Sequence, residues 1–286
     1  PVIGGVTVQV GPVVGDAEFP EAVEITVDDH GRANGVIYFD GQKREVAQKA
    51  KMLWLNYPNN PTGALADLNY FEKVVLFARK HDIAVCHDAP YSEVAYDGYK
   101  PVSFLQVKGA RNLAIEFHSL SKSYNMTGWR IGMAVGNANM INALMRVKSN
   151  LDSGIPQAIQ QMGISALLGP QGCIEEHNII YQNRRDKLIG ALTKLGLQAN
   201  PPKASLYIWA RLPEGLTSIP FASRLLEEIG VVVTPGIGYG EYGEGYVRIA
   251  LVENEQRIRQ AARSVRRFLS SPPMVSGEGS AKAVAL

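Results

Sequence analysis

Residues 52–88 read MLWLNYPNNPTGALADLNYFEKVVLFARKHDIAVCHD, and the rest of the fold follows from them. MLWLNY (52–57) is a short apolar run ended by the Pro58–Gly63 cluster of turn residues, the pattern of a strand buried on both faces of a parallel sheet. From Asp67 onward the period changes to that of a helix. Phe71, Val74, Val75 and Ala78 fall on one face, and Asp67 is placed to cap the first turn. IAVCHD (83–88) then reads as a second strand. Strand, helix, strand in 37 residues is a crossover unit, and such units build mostly parallel sheets covered by helices.

Working outward, NLAIEF (112–117) and RIGMAVG (130–136) read as further strands, with a helix at 138–149. Upstream, residues 1–50 show weak alternation in VTVQV and AVEITVDD and read as short strands and loops. Downstream, helical patterns cover 156–168 and 171–195. They are followed by the strand LYIWARL, the helix FASRLLEEIG, the strands VVVTPG and YVRIAL, and a last helix at 254–270. The expected fold class is therefore α/β, with a large domain over residues 1–150 and a smaller C-terminal α+β domain over 151–270. Residues 271–286, SPPMVSGEGSAKAVAL, are small, polar and unpatterned and read as a disordered tail.

Composition narrows the function. Hydrophobic residues make up 46% and charged ones 20% of the 286 positions, an ordinary globular balance. The formal net charge of +2 gives no electrostatic basis for nucleic acid or an anionic membrane as partner. Cys86 and Cys173, the two cysteines, form neither a disulfide framework nor a four-ligand metal site, so buried free thiols, no metal and a reducing, cytoplasmic setting are expected. No apolar run is long enough to span a bilayer. The chain starts at Pro1 rather than Met, which points to a processed or incomplete product.

In sheets of this type ligands bind beyond the carboxyl ends of the strands. The polar residues there are Asn60, Asp88, Tyr91, Ser119 and Lys122. Each has a plain reading: a turn residue, a helix cap, a packing tyrosine, a solvated lysine. Together they have another. In HSLSKSYNMTGWR (118–130), Ser119, Ser121 and Arg130 surround Lys122, and two hydroxyls with a guanidinium suit a phosphate dianion. Pyridoxal 5′-phosphate needs a lysine amine for its aldehyde and a carboxylate to keep its ring nitrogen protonated. It also needs donors for its phenolate oxygen and an anion site for its phosphate. Lys122, Asp88, Asn60 with Tyr91, and Ser119, Ser121 and Arg130 supply these in turn.

NNPTG at 59–63, then D-x-x-Y, then S-x-S-K with an arginine eight residues later, resembles the class I/II, fold-type I pyridoxal phosphate-dependent aminotransferases. YPNNPTGA, AYDGYKPVSFL and FHSLSKSYNMTGWRIG are most similar to the LL-diaminopimelate branch of that family. The resemblance covers roughly residues 50–270. It implies that Lys122 is both covalent anchor and proton carrier, and that Arg248, in PGIGYGEYGEGYVRIAL, grips the substrate α-carboxylate beside Asn60. It further implies amino acid and 2-oxo acid substrates, a homodimer with sites at the subunit interface, and an N-terminal part with a phosphate-binding loop and a ring-stacking aromatic that residues 1–50 do not match. Other amino acid aminotransferases (aspartate, alanine or aromatic) and a C–S β-lyase would keep the same anchors. So would the cofactor-binding sensor of a transcription regulator, and an inactive fragment is the remaining alternative.

Overall fold

The computed structural model describes residues 6–10, 24–27, 33–37, 43–44, 50–194 and 196–270, with side chains from 51 to 194 and 196 to 265. The expected tail at 271–286 and most of residues 1–50 lie outside these residues. In chain order the elements are β1 (Val6–Val10), β2 (Glu24–Val27), β3 (Ala33–Ile37), β4 (Lys43–Arg44), β5 (Ala50–Asn56), α1 (Leu68–His81), β6 (Ala84–Asp88), β7 (Ala114–Ser119), the one-turn helix α2 (Leu120–Ser123) and β8 (Gly132–Gly136). Then come α3 (Ala138–Lys148), α4 (Gln157–Leu168), α5 (Gly172–Lys194), β9 (Tyr207–Arg211), α6 (Ser218–Ile229), β10 (Thr234–Pro235), β11 (Tyr246–Ala250) and α7 (Glu255–Ser270).

The main sheet runs β1-β5-β6-β7-β8. Its first three pairings are parallel and the last, β7 with β8, is antiparallel. The link from Ser119 to Gly132 holds only α2 and a single 3-10 turn, too little chain for a crossover, so β8 returns antiparallel. A second sheet, β10-β11-β9, is antiparallel throughout. The α/β class and the mostly parallel main sheet expected from the sequence are thus observed. VVVTPG is a correction. Only Thr234 and Pro235 pair, while Val231 and Val233 pack as partly buried side chains against an apolar core.

Helix α1 shows why these residues fold as they do. Asp67 caps it by accepting from the Tyr70 amide at 2.7 Å, an arrangement worth about 1 kcal/mol. Phe71, Val74, Val75 and Ala78 are its buried residues, as the spacing predicts. They meet Leu53, Leu55 and Val85 of the sheet in one apolar core. Each such large side chain contributes about 1.5–3 kcal/mol when fully buried. A second core gathers Tyr181, Leu188 and Leu192 of α5 with Ile208, Phe221, Leu225 and Val247. Tyr91, Val94 and Tyr96 reach into it from the segment after β6, tying the two regions together. Cys86 is buried, and its thiol is pushed up to about 11 by burial. Cys173 is free but only partly buried, against the expectation of two buried thiols.

Candidate active site

Register places the polar residues. Asn56 of β5 pairs with Asp88 of β6, which pairs with Phe117 of β7. Side chains alternate along a strand, so Asn56, Asp88, Phe117 and, two residues on, Ser119 share one face of the sheet at its carboxyl edge. Below them Trp54 stacks on Phe117, with ring centroids 5.7 Å apart. Leu55, His87 and Glu116 share the opposite face.

Asn56 is the link between strand end and turn. Its amide nitrogen donates to the Asp88 carbonyl at 2.9 Å and reaches Asp88 Oδ2 at 3.5 Å. Its side-chain oxygen accepts from the Asn60 backbone amide at 3.0 Å and from Asn59 Nδ2 at 3.1 Å. The turn is closed by Gly63, whose φ of +72° and 2.9 Å approach of any added Cβ to Pro202 leave room for glycine alone. Burial raises the Asp88 carboxyl above its ordinary range, with the charge of neighbouring His87 acting the other way. Among the described residues Asp88 has no ion-pair partner.

From the turn the network crosses to the second sheet. Asn60 Oδ1 accepts from Arg248 Nη1 at 2.8 Å, and Thr234 Oγ1 accepts from Nη2 at 3.3 Å. The Arg248 guanidinium lies over the Tyr207 ring at 4.2 Å and faces Tyr239 at 5.2 Å. The Tyr91 hydroxyl donates to that of Tyr207 at 3.2 Å. Burial, then the Tyr207 bond, raises the Tyr91 phenol, which keeps it a donor. The loop that carries Tyr239 depends on Gly236 and Gly243: a Cβ on Gly236 would meet the Gly243 carbonyl at 2.0 Å. Four of the sequence-read residues, Asn60, Asp88, Tyr91 and Arg248, are therefore gathered into one region. Two that sequence reasoning missed, Asn56 and Tyr207, join them.

Ser119 is the last residue of β7 rather than a loop residue, and its Oγ accepts from the Ser121 amide at 3.2 Å. Lys122 follows in α2, half-buried, with no hydrogen bond or ion pair among the described residues. Arg130 lies before β8, exposed and in the left-handed region at φ 53°. Its guanidinium donates to the Thr127 carbonyl at 3.1 Å. Thr127 in turn donates to the Ser121 carbonyl at 3.1 Å. Arg130 thus meets the serine turn through Thr127 and makes no direct bond to Ser119 or Ser121.

The family model for aminotransferase class I and II matches residues 21–265. The chain belongs to the class I and II aminotransferases. It is 59% identical over 232 residues to the LL-diaminopimelate aminotransferase of Dehalococcoides mccartyi, covering 81% of this chain and 60% of that one. To the LL-diaminopimelate aminotransferase of Moorella thermoacetica it is 54% identical, covering 79% and 58%. Among solved structures it is similar to the "probable N-succinyldiaminopimelate aminotransferase" of Thermus thermophilus at 39% identity and a TM-score of 0.73, covering 85% of this chain and 64% of that one. The fold is that of fold-type I aminotransferases. The chain spans about 60% of the length of the curated relatives it matches.

Proposed function

We propose that the chain carries the cofactor anchors and carboxylate clamp of a pyridoxal phosphate-dependent aminotransferase that moves an amino group between LL-diaminopimelate and 2-oxoglutarate. One observation carries this reading. Asn60, Asp88, Tyr91 and Arg248 converge at the strand ends, while Lys122 beyond β7 has an amine with no partner among the described residues. Identities of 59% and 54% to LL-diaminopimelate aminotransferases favour that substrate over aspartate, alanine, aromatic or β-lyase chemistry, and over a sensor role.

The residues fit the cofactor. Asp88 is a desolvated carboxylate without a cation, suited to a protonated ring nitrogen. The Asn60 amide nitrogen has no partner among the described residues, and the neutral Tyr91 hydroxyl would turn its one hydrogen from Tyr207 to the phenolate oxygen, so both suit that oxygen. Ser119, Ser121 and Arg130 would hold the phosphate, and Lys122 the aldehyde carbon. When bound, the cofactor supplies an electron sink for the charge left on the substrate α-carbon. Lys122 Nζ takes the α-proton as general base and later returns it as general acid. Asp88 holds a proton on the ring nitrogen. Arg248 grips the α-carboxylate with paired charge-assisted bonds, aimed by Tyr207 beneath it and Asn60 beside it. Its Nε is buried and has no hydrogen-bond partner among the described residues, so its hydrogen is uncommitted there.

A division at residue 150, homodimer assembly, a cytoplasmic location and the absence of nucleic acid or membrane partners belong to the same proposal. Two separate apolar cores support the division. Among the described residues no helix is long and apolar enough to cross a membrane. The test is to add pyridoxal phosphate, reduce with borohydride and map the adduct, then compare LL-diaminopimelate with aspartate, alanine and aromatic donors against 2-oxoglutarate. An adduct on Lys122 and preference for LL-diaminopimelate are expected. Attachment at another lysine would overturn the site, and preference for another donor would overturn the substrate.

A further inference from the structure

Beneath the site, on the opposite face of the sheet, lies a buried polar cluster that the proposed chemistry does not use. His87 of β6 pairs in register with Glu116 of β7, and the two are 0% and 1% exposed. His87 Nδ1 is 2.8 Å from Glu116 Oε2, and its Nε2 is 3.1 Å from the Tyr57 carbonyl. The Phe104 amide also donates to Oε2, at 2.8 Å. On Oε1 converge the Ser103 hydroxyl and His118 Nε2, each at 2.8 Å. His118 Nδ1 faces Ser92 Oγ at 3.3 Å. The rings of Phe71 and Phe104 close over His87 at 5.1 and 6.1 Å.

Donors and acceptors limit where the protons sit. A backbone carbonyl only accepts, so His87 Nε2 carries hydrogen. Ser103 Oγ accepts from the Leu105 amide at 3.1 Å and turns its own hydrogen to Glu116. His118 Nε2 donates to Oε1, and with Ser92 Oγ as the donor to Nδ1 the His118 ring carries one hydrogen. The His87–Glu116 contact needs one proton between its two atoms, and with that proton on His87 Nδ1 an ionised Glu116 has one donor for each of its four lone-pair directions. Burial pushes the Glu116 carboxyl up, but the bonds from His118 and His87 outweigh it and hold it well below the usual carboxylate range.

Four members of the cluster lie beside site residues or at the turn that carries one. His87 precedes Asp88, His118 precedes Ser119, Ser92 follows Tyr91, and the Tyr57 carbonyl opens the turn that carries Asn60. We propose that His87 and Glu116 form a buried imidazolium–carboxylate pair that positions the site from behind. The pair pins these four segments together, and its positive ring opposes, without touching Asp88, the burial that disfavours the Asp88 charge. Both are positioning residues, because neither reaches the face where substrate would bind. The proposal rests on the reading of Asp88 as the partner of a ring nitrogen. The groups bonded to His87 are the Glu116 carboxylate of β7 and the Tyr57 carbonyl, and His118 reaches the other oxygen of the same carboxylate. Facing Asp88 are the Asn56 amide, neutral Tyr91 and, past Tyr91, Tyr207 and Arg248.

The experiment uses the whole chain without cofactor, so its outcome is separate from that of borohydride labelling. Nitrogen-15 NMR near neutral pH should show both His87 ring nitrogens protonated and only one in His118. An unprotonated His87 nitrogen overturns the pair, and this measurement needs no variant. With carbon-13-labelled aspartate, His87→Asn should raise the Asp88 titration midpoint by about one pH unit, the scale of one lost charge several ångströms away. An unchanged midpoint in the folded variant overturns the electrostatic role. Should His87→Asn fail to fold, Ser92→Ala replaces it. That variant removes the Ser92 tie while sparing the pair, and it should leave both His87 nitrogens protonated. Loss of either proton would overturn the assignment.

Discussion

Removing the Asn56 side chain tests the geometry of the site without needing any ligand. Asn56→Ala deletes three well-formed hydrogen bonds: to the Asp88 carbonyl at 2.9 Å, from the Asn60 amide at 3.0 Å and from Asn59 Nδ2 at 3.1 Å. At about 1 kcal/mol each the expected loss is about 3 kcal/mol, a large part of the ~5–15 kcal/mol that holds a domain folded. In urea, with a slope of about 1–3 kcal/mol per molar, the midpoint should fall by about 1 M or more. Asn56→Asp separates the two halves of the contact. It keeps the acceptor for Asn60 but turns the donor facing Asp88 into a second carboxylate. Mutual repulsion raises the folded-state titration of that pair above the unfolded value, so the penalty is present at neutral pH and relieved as pH falls through the raised value. The reasoning fails if Asn56→Ala costs under about 0.5 kcal/mol, the usual size of a neutral surface change. It fails equally if the Asn56→Asp penalty is the same at about pH 4 as at pH 8.

Other outcomes follow from the same contacts. Lys122→Ala should abolish borohydride-stable attachment of pyridoxal phosphate while shifting stability by less than about 0.5 kcal/mol, since its amine has no partner to lose among the described residues; persistent labelling would remove it from its role. Arg248→Ala should weaken amino acid binding by about 3 kcal/mol, roughly 100-fold, with cofactor affinity unchanged; equal loss of both would argue against a carboxylate clamp. Glu116 has a depressed carboxyl, so its stabilisation is complete above the unfolded value and is lost as pH falls through the lower folded one. Glu116→Gln should therefore be less stable at neutral pH and should flatten the acid limb of a urea-midpoint profile; a parallel limb would contradict the assignment.

Much of this was legible because it is local. The period of FEKVVLFA fixes the buried face of α1, and Asp67 caps it where the spacing predicts. Asn60, Asp88, Tyr91 and Lys122 stand out as polar residues just past apolar strands, whereas Arg248, in the middle of β11, was legible only through the family resemblance. What was not legible is pairing. Asn56 reaches Asp88 across 32 positions and Arg248 reaches Asn60 across 188, and strand register supplies those distances. The sequence shows Asn56 as one more asparagine in a turn rich in them. VVVTPG misled for the same reason. Its β-branched run has strand propensity, but propensity measures fit to a neighbour, and Val231 and Val233 find theirs in an apolar core instead of across a ladder. Glu116 and His87 lie inside the strand runs NLAIEF and IAVCHD, 29 positions apart. Only the sheet reveals that they face each other.

The site is assembled at a cost to the chain that carries it. Asp88 titrates above its ordinary range because burial disfavours its charge and no cation faces it within the described residues. A carboxylate raised on folding contributes most below its unfolded value and loses that contribution as pH rises through the folded one. At neutral pH, Asp88 therefore works against folding until a cation arrives. Asp88→Asn should consequently leave the unliganded chain as stable as, or more stable than, the parent at neutral pH, with the difference vanishing in acid. It should also lose the benefit of ligand. The parent gains about 2.7 kcal/mol when pyridoxal phosphate is present at a hundred times its dissociation constant, and the variant gains less at the same concentration because its amide cannot hold the ring nitrogen's proton. Paired melts with and without pyridoxal phosphate measure both terms. A variant that is less stable alone yet equally stabilised by the cofactor would mean that Asp88 serves the fold and not the ring.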